Sequence, residues 1–137
     1  MHRWTLTLAA TALLAGCATA ADEAKRQAAG ERELAETLAG YTPGRTLNCV
    51  DPQLAGGPQI VGDSLLYRAT ANTYYRNIVA PDCPSLRGDQ IVVAEVYGSG
   101  LCKNDRFRLV QRGGTVGIPS AYCRFGEFVE YKKNPQN

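Results

Sequence analysis

The sequence predicts an all-β domain: a small, disulfide-stapled antiparallel barrel or sandwich of about 6–7 short strands, preceded by a signal peptide and a partly helical tether. Three observations carry this. From Thr46 onward, short runs rich in Val, Ile, Tyr, Thr and Phe recur between Gly, Pro, Asn and Asp clusters. Four cysteines lie in that region, at 49, 83, 102 and 123. Ahead of it stand an apolar stretch and then an alanine- and charge-rich segment.

The first element is an export signal. Met1, His2 and Arg3 make a short basic start, and Trp4 to Ala15 follow as 12 residues without a charge. That is shorter than the roughly 20 apolar residues a membrane-spanning helix needs, and it has the length and flanks of a signal-peptide core. It runs into Leu14-Ala15-Gly16-Cys17, which resembles the lipobox of bacterial lipoproteins. The resemblance implies cleavage after residue 16 and an acylated Cys17 as the membrane anchor. Ala18, rather than aspartate, after that cysteine implies the periplasmic face of the outer membrane. The alternative is cleavage at the small-x-small site Ala18-Thr19-Ala20, which discards Cys17 and leaves a soluble periplasmic protein.

Removing residues 1–16 leaves no histidine, because His2 is the only one in the chain. A Ser-His-Asp or Cys-His arrangement, a histidine zinc site and a histidine pH switch are thereby excluded from the mature chain. The four remaining cysteines are 34, 19 and 21 positions apart, without the close pairs of a metal site. An even count in an exported domain reads as two disulfides. Three pairings are open. Cys49–Cys102 with Cys83–Cys123 is preferred because it ties early strands to late ones. No metal or cofactor is expected. The mature side chains sum to +1, which does not describe a nucleic-acid surface.

Residues 17–43 form the tether. Helix propensity is high, but only Leu34 and Leu38 offer an apolar stripe, and Gly30 interrupts it. The Pro43-Gly44 turn signal places the domain boundary, so the β-domain is expected over 44–133 with a disordered tail at 134–137. Strands are expected near 46–50, 59–61, 65–70, 73–79, 90–97, 106–111 and 125–131. In the hairpin closed by Ala71-Asn72, alternation puts Leu65, Tyr67, Ala69, Tyr74 and Ile78 on the core face. Arg68, Thr70, Thr73, Tyr75 and Asn77 then face solvent, with Tyr67 opposite Arg76 and Tyr75 opposite Arg68. Arg76 falls inward and needs a rim position or a carboxylate. Phe107 and Leu109 point inward. Ile91 to Val96, nearly all apolar, is expected to be a central strand buried on both sides.

Candidate chemistry is sparse. Tyr67, Tyr74, Tyr75 and Tyr97, with Tyr122, are the candidate binding face, against the plainer reading of core tyrosines with polar tips. The carboxylates Asp63, Asp89, Glu95, Asp105, Glu127 and Glu130 are scattered over turns and strand ends, so no catalytic pair is assigned. The expected partners are the membrane, through the anchor, and an envelope protein or a glycan. An inhibitor of a periplasmic hydrolase is the alternative. It would present a rigid loop at Gly98 to Asp105 or Gly113 to Ser120.

Several motifs fall in a fixed order: Tyr-x-Pro-Gly-(x)4-Cys at 41–49, Leu-Tyr-Arg at 66–68, Tyr-x-Asn at 75–77 and Cys-x-x-Leu at 83–86. Gly-Ser-x-Leu-Cys at 98–102 and Gly-x-Phe-x-x-Tyr at 126–131 complete the set. Together they resemble small exported proteins of sphingomonads and related alphaproteobacteria over roughly residues 40–133. The resemblance implies an envelope with two membranes and an all-β domain. That family has no assigned activity, so it implies no substrate and no catalytic residue.

Overall fold

The structure, a computed structural model, describes residues 12–51, 57–79, 81, 83, 86–113 and 119–135, with side chains from residue 20 onward. One helix, α1 (Ala12–Thr37), precedes ten strands. These are β1 (Tyr41–Leu47), β2 (Cys49–Val50), β3 (Gln59–Val61), β4 (Ser64–Thr70) and β5 (Thr73–Ile78). They continue as β6 (Gln90–Ala94), β7 (Leu101–Cys102), β8 (Arg106–Gln111), β9 (Cys123–Arg124) and β10 (Phe128–Lys133). All pair antiparallel, in sheets ordered β1-β10-β5-β4-β3, β6-β8-β9 and β2-β7. None of the sheets closes on itself. The domain is an open sandwich, the second of the two architectures expected.

The core lies where the inner faces of the sheets meet. Leu65, Tyr67 and Phe128 come from the five-stranded sheet, Phe107, Leu109 and Cys123 from the three-stranded one, and Val50 and Leu101 from the pair. Phe125 bridges them: its ring lies 4.6 Å from Phe107 and 6.0 Å from Phe128. Two disulfides clamp this core. Cys49–Cys102 joins directly opposite residues of β2 and β7, and Cys83–Cys123 ties the chain after β5 to β9. Lys103 N–H bonds the Asn48 carbonyl, so Cys49 and Cys102 occupy a non-hydrogen-bonded pair. There the side chains of facing strands stand closest.

Four expectations are corrected. Pro43 and Gly44 do not form a turn: they lie inside β1, which starts at Tyr41, at a register shift. Proline is tolerated there because β1 is an edge strand, where its missing N–H breaks no ladder bond. In the β4–β5 hairpin, the register shifts between Arg68 and Thr70, placing Tyr67 opposite Tyr75 and Leu65 opposite Asn77. One extra residue in a strand reverses every side chain beyond it. Asn77 is therefore fully buried and Ile78 is 46 % exposed, the reverse of the sequence expectation. Arg76 moves to the outer face, where its Nε donates to Ser64 Oγ at 2.9 Å and its guanidinium lies 3.6 Å from Asp63.

The third correction concerns β6. It is an edge strand, not a central one, and Ile91 and Val93 are 44 % and 50 % exposed. The fourth is the tether. Helix α1 runs through Gly30 without a break, and Gly30 itself is where it lies against Gly62. A Cβ on Gly30 would come within 2.4 Å of the Gly62 Cα, so the approach requires glycine. Gly40, at φ 78°, ends the helical segment in the left-handed conformation that a side chain resists.

Candidate functional site

The outer face of the β6-β8-β9 sheet gathers the most distinctive surface chemistry of the molecule. Along β8 the alternation Arg106-Phe107-Arg108-Leu109 sends Phe107 and Leu109 into the core and both arginines out. The register then sets Val93 beside Arg108, Ile91 beside Val110, and Arg124 of β9 directly opposite Arg106. Like charges facing each other across a ladder are destabilising. Here Arg106 is drawn to a carboxylate.

That carboxylate is Glu95, which continues the β6 register by donating its N–H to the Arg106 carbonyl. Its Oε2 accepts from the Tyr97 hydroxyl at 2.6 Å, and its Oε1 from the Tyr122 hydroxyl at 2.7 Å. The Arg106 guanidinium lies 3.3 Å from Oε2 and donates to the Tyr97 hydroxyl at 2.9 Å. The Tyr97 and Tyr122 hydrogen bonds, then the arginines, hold the Glu95 carboxyl below its ordinary range. The same Tyr97 contact, aided by Glu95, raises Arg106 further. Both shifts favour the charged forms.

Tyr122 is flanked by two guanidinium groups, Arg108 at 3.8 Å from the ring centroid and Arg106 at 4.8 Å. Stacking of this kind satisfies the ring but not the charge. Arg108 Nε is buried without a hydrogen-bond partner, and neither Arg108 nor Arg124 has an ion pair among the described residues. The one carboxylate thus forms an ion pair with just one of the three outward arginines. The face can accept an anion, beside the 68 % exposed ring of Tyr97 and the aliphatic pair Ile91 and Val93.

The tyrosines singled out from sequence do not share a face. Tyr67 is 3 % exposed, in the core beside Phe128, and burial pushes its hydroxyl pKa up. Tyr75 is half-buried on that same inner face, opposite Tyr67. Tyr74 points outward and meets Tyr41 edge to face at 5.1 Å. Only Tyr97 of the four stands on the Arg/Tyr face, with Tyr122. The arginines were missed as site residues. Their signal was the outward phase of Arg106 and Arg108 on either side of the inward Phe107.

Other candidates are less developed. Cys17 falls within α1, and residues 1–11 of the signal peptide expected over 1–16 lie outside the described residues. No helix among the described residues is long and apolar enough to cross a membrane. Of the two loops that could serve an inhibitor, the segment 98–105 is pinned to the domain. Leu101 is buried, Cys102 N–H bonds Asp105, and Asn104 N–H bonds the Phe125 carbonyl. Most of the second loop, 114–118, lies outside the described residues, as do 136 and 137 of the tail. A cleft of about 780 Å³ separates α1 from the domain, lined by Arg26, Gly30, Ile60, Ile78 and Leu86 among others. Within it Arg26 pairs with Glu23 and Gln59 with Glu33. Among the described residues no cluster of carboxylates and cysteines has the make-up of a metal site. Compared with protein-family models, curated proteins and solved structures, the chain matches none.

Proposed function

We propose that this chain is a bacterial envelope lipoprotein, anchored through Cys17 to the periplasmic face of the outer membrane. Its β-domain is a non-enzymatic binding module for an anionic glycan, of which peptidoglycan is the one such a domain meets. The observation that carries the ligand class is the arginine excess on the β6-β8-β9 face, where Arg108 stacks on Tyr122 and neither Arg108 nor Arg124 has an ion pair among the described residues. Arg108 and Arg124 supply donors for carboxylates, since a guanidinium offers a fork of N–H groups matched to that geometry. The exposed Tyr97 ring supplies an apolar plane of the kind that packs on a sugar face. Glu95 holds the two tyrosines and Arg106 in place.

The support for the anchor is the lipobox-like Leu14-Ala15-Gly16-Cys17 behind an apolar core. Palmitate labelling of the wild type and of Cys17→Ser tests it: label on the first and none on the second supports the anchor. An unlabelled wild type beginning at Ala21 contradicts it. Cosedimentation with purified sacculi tests the ligand. Arg108→Ala is expected to weaken binding roughly tenfold, a loss of about 1.4 kcal/mol. Wild-type protein that stays in the supernatant overturns the glycan reading.

A further inference from the structure

The edges of the sheets are not alike. At one end of the five-stranded sheet, β1 carries Pro43, Arg45 and a register shift. At the other, β3 is three residues long and abuts α1 at Gly30. β9, the far edge of the three-stranded sheet, is two residues long. Proline, charge, irregularity, shortness and cover are the devices by which proteins blunt an edge. Among the described residues β6 has none of them. Its sequence, Gln90-Ile91-Val92-Val93-Ala94, contains no charge and no proline, and β8 is its one hydrogen-bonded strand neighbour among the described residues.

The phase of its open backbone groups follows from one bond. Glu95 N–H donates to the Arg106 carbonyl, so Glu95 and Arg106 are a hydrogen-bonded pair. Stepping back by two along the register, Val93 with Arg108 and Ile91 with Val110 are also hydrogen-bonded pairs. The N–H and C=O groups of Val92 and Ala94 therefore point away from β8, into the open edge. Their side chains pack against the core and are partly buried, so what β6 leaves uncovered is its outer face, at Ile91 and Val93, and its edge.

We propose that β6 pairs antiparallel with β6 of a second copy of this chain, across a twofold axis at Val93. In that register Val92 of one copy faces Ala94 of the other. The four residues exchange all four of their open donors with all four open acceptors. Val93 meets Val93, a β-branched cross-strand pair of the favourable kind. Ile91 meets Glu95, whose carboxylate is already held by Tyr97, Tyr122 and Arg106. No two like charges face each other. A contact of this symmetry uses the same patch on both copies and consumes both edges, so growth stops at the dimer. The result is a continuous six-stranded sheet, with one Arg/Tyr cluster on each side of a central aliphatic strip. The dimer does not depend on the ligand of that face.

Sedimentation velocity of the purified protein in detergent, over a concentration series, tests the pairing. The wild type is expected to be a dimer and Val93→Lys, which sets two like charges on the axis, a monomer. Ile78→Lys, exposed on the five-stranded sheet and outside β6, is expected to remain dimeric. Hydrogen exchange of the wild type gives a readout independent of any variant. The Val92 and Ala94 amides are expected to slow by more than ~10-fold as the dimer forms. A wild type that stays monomeric with both amides unprotected overturns the proposal. So does a dimer that Val93→Lys leaves intact.

Discussion

At the scale of single residues, the domain depends on a few polar groups that have no room for error. Asn77 is fully buried, and its side chain serves the chain entering β10. Nδ2 donates to the Gly126 carbonyl at 2.9 Å, and Oδ1 accepts from the Gly126 N–H at 3.0 Å. Asn77→Ala strands both backbone groups away from water and is expected to cost about 2–4 kcal/mol in chemical denaturation. Gly126→Ala is expected to be at least as damaging, because its Cβ would lie 2.1 Å from the Ile78 carbonyl oxygen. Glu95 makes a prediction of a different kind. Its carboxyl titrates below the ordinary value of 4.5, so the charged form is favoured in the folded state. The cluster's contribution is therefore complete above that value and is lost as pH falls below it, through the lowered folded value. Glu95→Gln is expected to flatten this acid limb, which side-chain NMR of Glu95 and acid unfolding together measure. The inward role of Asn77 was hidden in the sequence by the register shift before it, not by any ambiguity in the residue.

At the scale of elements, alternation in β8 was legible because Phe107 and Leu109 are separated by charged residues, leaving one phase possible. The β4–β5 hairpin was legible as a hairpin, but its faces were not. Tyr, Arg, Asn and Thr fit either side of a sheet, so nothing in their pattern betrays the irregularity at Ala69. β6 misled for the opposite reason. An apolar run reads as doubly buried, whereas here Ile91 and Val93 spend their apolar surface on an exposed edge. Helix α1 was legible from alanine content, and its docking was not. A glycine in a helix weakens propensity, and only a partner backbone, here Gly62, turns that into a contact. Gly30→Ala is expected to release α1 from β3. The check is limited proteolysis, with faster tryptic cleavage at Lys25, Arg26 and Arg32 than in the wild type.

At the scale of the whole molecule, a small sandwich without closed sheets is held by its core and its two clamps. Cys49–Cys102 and Cys83–Cys123 span 53 and 40 positions. Each is worth about 4 kcal/mol through the entropy of the unfolded chain, a large share of the stability of a domain this size. Paired substitution of either bridge by serine is expected to shift the denaturation midpoint by that order, and reduction of both to unfold the domain. The same rigid frame presents the Arg/Tyr face, since Cys123 of one clamp is the residue after Tyr122 and lies opposite Phe107. The fold class and the staples could be read from composition and spacing. The face could not, because it joins Arg106, Arg108 and Arg124 of β8 and β9 with Glu95 and Tyr122, which flank β6 and β9, and only the folded chain displays that pairing.

The most direct test of the binding account is a chemical-shift titration of the isotopically labelled protein with soluble peptidoglycan fragments. The account expects perturbations concentrated at Glu95, Tyr97, Arg106, Arg108, Tyr122 and Arg124, and their loss in Arg108→Ala. Perturbations centred on the α1 cleft, or none at saturating fragment, would contradict it.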